Sequence, residues 1–234
     1  QSLLKAGKEY IGVMHIHKEV SEEQLRKTLS EFIGTINQLP PIRSSVKRQL
    51  RQRNIYYLEI LEIDKQDVLF KTGVEAGTYI RKLCHDIGKK LGTGAHMAEL
   101  RRTKAGPFNE STNLVTLHDL TDAIWYYNHE KNEKFIRHCI QPIETAVKHL
   151  PKVWIFDSTV NSLCHGVNLK VPGISKLDSG IEPEQQVAIM TLKDELVAIG
   201  ESSMTSEKML REAKGIAVKT NKVFMQEGIY PRIE

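Results

Sequence analysis

The residues best suited to chemistry lie in one stretch, residues 74–108, which reads VEAGTYIRKLCHDIGKKLGTGAHMAELRRTKAGPF. Tyr79 and Arg81 follow a glycine turn, and Arg101, Arg102 and Lys104 close the stretch after a second one. A guanidinium held in place beside a basic strand suits a carboxylate or a phosphate, because its planar fork meets two oxygens at once. The same pattern fits a turn, a surface helix and a solvated run of charge, and periodicity alone leaves both readings standing.

Holding Arg81 still is a task for the element around it. Ile80, Leu83, Cys84, Ile87 and Leu91 recur at the spacing of one buried helical face, so a helix is expected over 78–91. Burial of that face fixes the first turn and with it Arg81. The flanking glycines let the backbone bend tightly and let a ligand come close.

A chain of 234 residues is long enough for one large or two ordinary domains with real cores. Its formal charge of +4 is unevenly placed. Residues 1–150 hold 23 basic and 18 acidic side chains, and residues 151–234 hold 10 and 11. Residues 43–53 carry five basic side chains and no acidic one, a modest electrostatic footprint for nucleic acid. The three cysteines are far apart and in no paired spacing, which argues against a disulfide framework and a zinc site and fits a reducing compartment. No apolar run approaches the roughly 18–20 residues needed to cross a bilayer.

In chain order, residues 8–17 alternate as a strand set well inside a sheet, with Tyr10 on one face and His15 and His17 on the other. Two histidines at that spacing suit a metal, but no third ligand is evident, so they read as sheet-surface residues. A helix is expected over 21–36, capped by Ser21 with Gln24 and ended by Pro40-Pro41. Residues 42–53 read as a cation-rich loop or hairpin, and residues 55–64 and 68–75 as a hairpin turning near Lys65-Gln66. Three helices follow over 117–127, 133–141 and 142–150, their aromatics expected in packing. Beyond Leu150-Pro151, the best domain boundary, come short strands at 153–156, 187–192, 196–202 and 215–224. Lys193-Asp194-Glu195 turns the middle hairpin, and Asp157 is expected to cap a short helix ending at Gly166. That spacing suggests a small closed or half-closed barrel.

Several stretches together resemble a known family: GKEYIGVMHIH (7–17), QLPPIRSSVKRQLRQRNIYYLEILE (38–62), AGTYIRKL (76–83), GAHMAELRRTKAGPF (94–108), LPKVWIFDSTVNSLCHGVNLKVPGISKLDSGI (150–181), VAIMTLKDELVAIG (187–200) and KGIAVKTNKVFM (214–225). The chain resembles the RNA pseudouridine synthases of the TruB/dyskerin family, in particular the archaeal catalytic subunit of box H/ACA guide ribonucleoproteins. The resemblance implies an α+β protein. Residues 1–149 would form the later part of the synthase domain, a mixed sheet with flanking helices and a basic cleft. Residues 150–234 would form a PUA domain, a small RNA-binding β pseudo-barrel. It implies isomerisation of uridine to pseudouridine within RNA, without cofactor or metal. It also implies guide RNA and substrate rRNA or tRNA as partners, with small accessory proteins including a kink-turn-binding ribosomal-type protein, and no membrane. The location implied is the cytoplasm of an archaeon, or the nucleolus if the source is eukaryotic.

Residue roles carry over by position. Tyr10 matches the tyrosine that stacks on the flipped-out base, where an aromatic face offsets lost stacking by about 1–3 kcal/mol. Arg81 matches the arginine that pairs with the catalytic aspartate and keeps it ionised. Leu100 matches an apolar pocket residue, with Ile80 beside it. Arg101, Arg102 and Lys104 are candidate RNA-backbone contacts. Arg43, Lys47, Arg48 and Arg51 fall in a region resembling a loop that closes over substrate RNA. Gly166 and Gly173, near Asn168, Lys170 and Pro172, fit either close approach of an RNA backbone or ordinary turns. The family's Gly-Thr-Leu-Asp-Pro type motif, which carries the nucleophile, is not found, and Asp86 reads as a structural residue one turn beyond Arg81. The chain starts without methionine and almost at once in a strand. The expectation is therefore an upstream segment bearing the aspartate, and no turnover by this polypeptide alone. Two further readings stay open: a stand-alone synthase for one uridine of the tRNA T-arm (position 55), and a non-catalytic RNA-binding scaffold.

Overall fold

A computed structural model describes residues 6–40, 47–112 and 114–231. The chain divides into two compact units, residues 1–116 and 117–234.

The first unit runs β1 (Lys8–Ile16), α1 (Glu22–Ser30), β2 (Gly34–Gln38), β3 (Arg51–Asp64), β4 (Asp67–Val74), α2 (Ile80–Leu91), β5 (Ala95–Ala105) and β6 (Phe108–Asn109). The strands form one sheet in the order β2-β3-β4-β1-β5-β6, antiparallel at each described pairing. β1 is interior, as its apolar residues on both faces require. Gly12, Met14 and Ile16 point to the buried face, where Met14, Ile16, Phe70 and Val74 pack with Ile80, Leu83 and Ile87 of α2. The β3–β4 hairpin turns at Lys65, whose φ is 54°.

Helix α2 forms as its periodicity predicts. Gly92, at φ 74°, ends it in the left-handed conformation that glycine adopts without strain. Gly88 lets the helix press onto β5, since a Cβ there would stand 2.1 Å from the Ala95 nitrogen. The helix expected over 21–36 is shorter. Ser21 caps it, its Oγ accepting from the Gln24 N–H at 3.2 Å, but α1 ends at Ser30. Gly34, at φ 98°, then opens β2, which contains Ile36. The longer stripe arose because Phe32 and Ile36 reach the same core from a turn and a strand, while Ile33 is 47% exposed. The basic segment expected as a loop or hairpin ends in a strand, for β3 starts at Arg51, paired with Gln38 of β2. Arg43 lies outside the described residues.

The second unit opens with α3 (Leu117–Glu130), α4 (Lys134–Cys139) and a 3-10 turn at Ile143–Val147. The aromatics here pack on one another, and do so at the surface. Trp125 is 50% exposed and stacks on His129 with ring centroids 4.6 Å apart, while Tyr126 lies 4.8 Å from Phe135. A second sheet follows, ordered β8 (Leu169–Lys170), β12 (Ile216–Val223), β11 (Leu196–Ser202), β10 (Gln186–Met190), β7 (Lys152–Ile155) and β9 (Ile174–Leu177). Its β10–β7 pair is parallel. Val153, Ile155, Leu163, Leu169, Val187 and Ile189 belong to its core, with α5 (Asp157–Cys164) and α6 (Ser206–Arg211) against it. Asp157 is not the cap of α5. Phe156 holds that position and makes no side-chain cap bond, and Asp157 sits in the first turn, where its charge suits the helix dipole.

Residues before Leu150 belong with this unit because they are tied to its sheet. Val147 is buried with Ala188, Met190, Leu196 and Ile199, and the Glu144 carboxylate accepts from the Leu196 N–H at 3.0 Å. Among the described residues no helix is long and apolar enough to cross a membrane.

Candidate functional site

Strand register sets the first half of the site. Across β1 and β5, Tyr10 faces Arg102 and Gly12 faces Leu100. Alternation places these four on one face of the sheet, the face that α2 covers. A Cβ on Gly12 would stand 3.0 Å from Leu100 and 2.9 Å from Phe70, well inside van der Waals contact, so the missing side chain lets both fold over β1. Tyr10 is half-buried against the core that contains Ile80, and Leu100 is 38% exposed. Arg101 faces Ile11 and so points to the opposite face, where its Nε pairs with Glu110 at 2.6 Å. Arg102 and Lys104 are exposed and border a shallow groove with Phe108 and Leu114. Of the three expected backbone contacts, then, Arg102 shares the Tyr10 face and Arg101 does not.

The second half is a cleft of about 480 Å³ at the start of α2, lined by Leu39, Pro40, Arg48, Arg81, Lys82, His85, Ala95 and His96. Among the described residues its walls carry three cationic side chains, two imidazoles and no carboxylate. Arg81 is exposed within it, and among the described residues no acidic group pairs with it. Asp86 is the partner of Lys82 one turn away, which agrees with its structural reading. Tyr10 and Leu100 do not line this cleft. The two halves meet in sequence at the first turn of α2, where Ile80 is buried in the Tyr10 core and Arg81 faces the cleft.

What fixes that first turn is Gln38, which the residue pattern did not single out. Tyr79 caps α2 without a side-chain bond of its own to the helix. The Gln38 amide bonds its backbone on both sides: Oε1 accepts from the Tyr79 N–H at 3.0 Å and Nε2 donates to the Tyr79 carbonyl at 3.2 Å. Gln38 is only 2% exposed.

The basic region splits. Lys47 and Arg48 are exposed, and Arg48 enters the cleft. Arg51, expected to contact RNA, is partly buried in β3, and the Nε atoms of Arg51 and Arg53 are buried without partners. Arg53 pairs with Glu75 at 3.5 Å and lies against Gly77, whose φ of 83° makes the turn before α2.

On the opposite face of the sheet one carboxylate joins four strands. Glu9 accepts from the Tyr57 hydroxyl, from Thr103 Oγ1 at 2.7 Å, and pairs with Lys71 at 3.3 Å. The Tyr57 bond, with Thr103 and Lys71, holds its pKa below the usual carboxylate range against the opposing effect of burial. Burial first, and then Glu9, pushes the Tyr57 phenol well up. His15 and His17 gain a neighbour that their spacing did not announce. His96 lies across from His15, with its Nδ1 2.9 Å from His17 Nε2, while His15 Nδ1 is 2.7 Å from Asp67. Among the described residues no group of three such side chains is placed to hold a metal ion.

In the second unit, Gly166 has φ 81° and open space where a Cβ would stand, so its turn is free for close approach. Gly173 is a packing glycine instead, as a Cβ there would be 2.8 Å from Thr159. Asn168 Oδ1 accepts from the Thr220 N–H at 3.0 Å, and Lys170 is exposed beside it.

Comparison with known proteins covers nearly the whole chain. Residues 2–80 match the TruB family pseudouridylate synthase N-terminal domain, residues 81–148 the tRNA pseudouridylate synthase B C-terminal domain, and residues 151–224 the PUA domain. A Pyrococcus horikoshii protein named "Probable tRNA pseudouridine synthase B" is 58% identical over 233 residues, covering 100% of this chain and 70% of the relative. A Methanopyrus kandleri protein of the same name is 53% identical over 99% of this chain and 68% of its own. A chain in a solved Cbf5-Nop10-Gar1 complex is 56% identical with a TM-score of 0.95, over 100% of this chain and 71% of that one. A chain in an H/ACA RNP bound to a substrate RNA containing 2'-deoxyuridine is 53% identical with a TM-score of 0.90, over 99% and 70%. Identity of this order across so much of both partners, on an α+β fold whose second part matches a PUA domain, leaves one assignment: the chain belongs to the TruB family of pseudouridine synthases.

Proposed function

We propose that this chain is the catalytic subunit of a box H/ACA-type guide ribonucleoprotein, converting uridine to pseudouridine in rRNA or tRNA. The carrying observation is the likeness, over its full length, to chains solved in Cbf5-Nop10-Gar1 and H/ACA RNP assemblies. In this reading the target base leaves its stack and lies against Tyr10, with Leu100 and Ile80 excluding water from the charges nearby. Arg81 pairs with the catalytic carboxylate, a role for which a cleft without acidic walls is suited. The N1–C1′ bond of uridine breaks, a C5–C1′ bond forms, C5 loses its proton and N1 takes one up, so the isomerisation balances with no redox partner. Arg48, Arg102 and Lys104 meet phosphates, with Arg43 and Lys47 on the same basic segment. Residues from about Leu150 act as the PUA module, where Gly166 and Lys170 meet the guide RNA. Accessory proteins, among them a kink-turn-binding ribosomal-type protein, position that RNA, in the cytoplasm of an archaeal cell.

The name shared by the archaeal relatives favours a second reading, a stand-alone synthase for the tRNA T-arm. One experiment separates them. The protein, together with the segment that supplies the catalytic aspartate, is assayed for pseudouridine in an rRNA fragment with guide RNA and accessory proteins, and in tRNA with neither. Turnover only in the guided reaction supports the first reading, and turnover in tRNA alone supports the second. No pseudouridine in either reaction would leave an RNA-binding scaffold and overturn both.

A further inference from the structure

The structure assigns Gln38 as a positioning residue for Arg81: its amide clamps the Tyr79 peptide and so sets where the first turn of α2 presents the guanidinium. The inference rests on the reading of the chain as a pseudouridine synthase and adds to it a residue at a distance from the reacting atoms.

Three observations carry it. The first is the bonding itself. A primary amide has one acceptor and one donor side, and Gln38 spends Oε1 on the Tyr79 N–H and Nε2 on the Tyr79 carbonyl, at 3.0 and 3.2 Å. That is the pairing of two neighbouring strands, made by a side chain. Glutamine fits it uncharged and without rotation, whereas Glu offers only acceptors when ionised and Met offers neither group. The second is burial. At 2% exposure water cannot readily replace the bond to the Tyr79 N–H, while the Tyr79 carbonyl, which also accepts from the Leu83 N–H at 3.0 Å, would lose only its link to the sheet. The clamp thus ties the entry of the helix to the end of β2, beside the burial of Ile80 in the sheet core.

The third is placement. Gln38 is the last residue of β2, and the next two residues, Leu39 and Pro40, line the same cleft as Arg81 and Arg48. The clamp thus joins the wall that leads into the basic segment to the helix turn that bears Arg81, two residues beyond Tyr79. Loss of the clamp moves one wall against the other. Displacement of about 1 Å in a positioned group costs on the order of 100-fold in rate.

A chemical switch tests this against a mere packing role. Gln38→Glu restores both bonds only when its carboxyl is protonated, since the neutral acid donates to the Tyr79 carbonyl and accepts from its N–H. The ionised form faces that carbonyl with a second acceptor. Gln38→Met fills the space and makes neither bond at any pH. Each variant is assayed as single-turnover pseudouridine formation in the complete guide-RNA particle, from pH 5.5 to 8, as a ratio to wild type. RNA affinity and Tyr79-segment hydrogen exchange are measured alongside.

Gln38→Met should lower the rate about 10- to 100-fold at every pH, with RNA affinity within about threefold of wild type and faster exchange over residues 77–83. The Gln38→Glu ratio should be highest at pH 5.5 and fall as the pH rises. A flat Gln38→Glu ratio near one, or a Gln38→Met rate within about twofold of wild type, overturns the inference while wild-type turnover stands. If Gln38→Met does not fold, the slope of the Gln38→Glu ratio decides alone. Wild type without turnover would overturn the synthase reading and this inference with it.

Discussion

Gly12 and Leu100 face each other across β1 and β5, so closely that a Cβ on the glycine would stand 3.0 Å from Leu100 Cδ1. The same Cβ would be 2.9 Å from the Phe70 ring and 3.0 Å from the Glu99 carbonyl oxygen. The ring and the backbone have no room to yield, and Leu100 would be driven from the face it shares with Tyr10. Gly12→Ala is therefore expected to cost about 1–3 kcal/mol of stability by urea denaturation. It should also lower pseudouridine formation by more than the unfolded fraction explains.

Helix α2 and β5 meet at Gly88, where an added Cβ would lie 2.1 Å from the backbone nitrogen of Ala95. Ordinary helix propensity favours alanine over glycine by about 1 kcal/mol. Here contact wins over propensity, and Gly88→Ala should destabilise the first unit by about 3 kcal/mol or more. A stabilised variant in thermal or urea unfolding would show that the helix does not press on β5.

Glu9 supplies a pH dependence of defined sign. Its folded pKa is depressed by Tyr57, Thr103 and Lys71, so its contribution is present above the unfolded value, near 4.3, and is lost as pH falls through the folded value. Glu9→Gln should cost about 1.5–3 kcal/mol at pH 7, the range for hydrogen bonds to a charged group. The difference from wild type should shrink as the pH falls through the depressed folded value, where wild-type Glu9 also becomes neutral. A difference that stays constant over that range would deny the network its charge.

The thiols should differ in reactivity. Burial pushes Cys84 up to about 12 and raises Cys164 as well, with help from Glu227, while Cys139 is only half-buried. A disulfide reagent at pH 8 should label Cys139 first in the native protein and reach Cys84 and Cys164 only on unfolding. Equal rates for all three would contradict the burial of α2 and α5 on their sheets.

Much of this was legible in the sequence where a pattern had a single physical source. The alternation of β1, the period of α2 and the turn at Lys65 each follow from local residue order, and each formed. The failures came where two sources gave one pattern. Phe32 and Ile36 extended the apparent stripe of α1 although a turn and a strand bring them to the core. Gln38 and the His96 contact to His17 were hidden for a different reason. Gln38 reaches 41 residues along the chain and His17 reaches 79, and nothing in local order marks such pairs. The boundary shift at Leu150 reflects a change of pattern, whereas the compact units part at Thr116 because Val147 and Glu144 are tied to the second sheet.

The proposed reaction depends most directly on Arg81. Arg81→Ala, in the complete guide-RNA particle, should lower single-turnover pseudouridine formation by about 100- to 1,000-fold while RNA affinity stays within about threefold of wild type, because the guanidinium serves a carboxylate and not a phosphate. Turnover near the wild-type rate with a matching loss of RNA affinity would make Arg81 a backbone contact and contradict the site described for this chain.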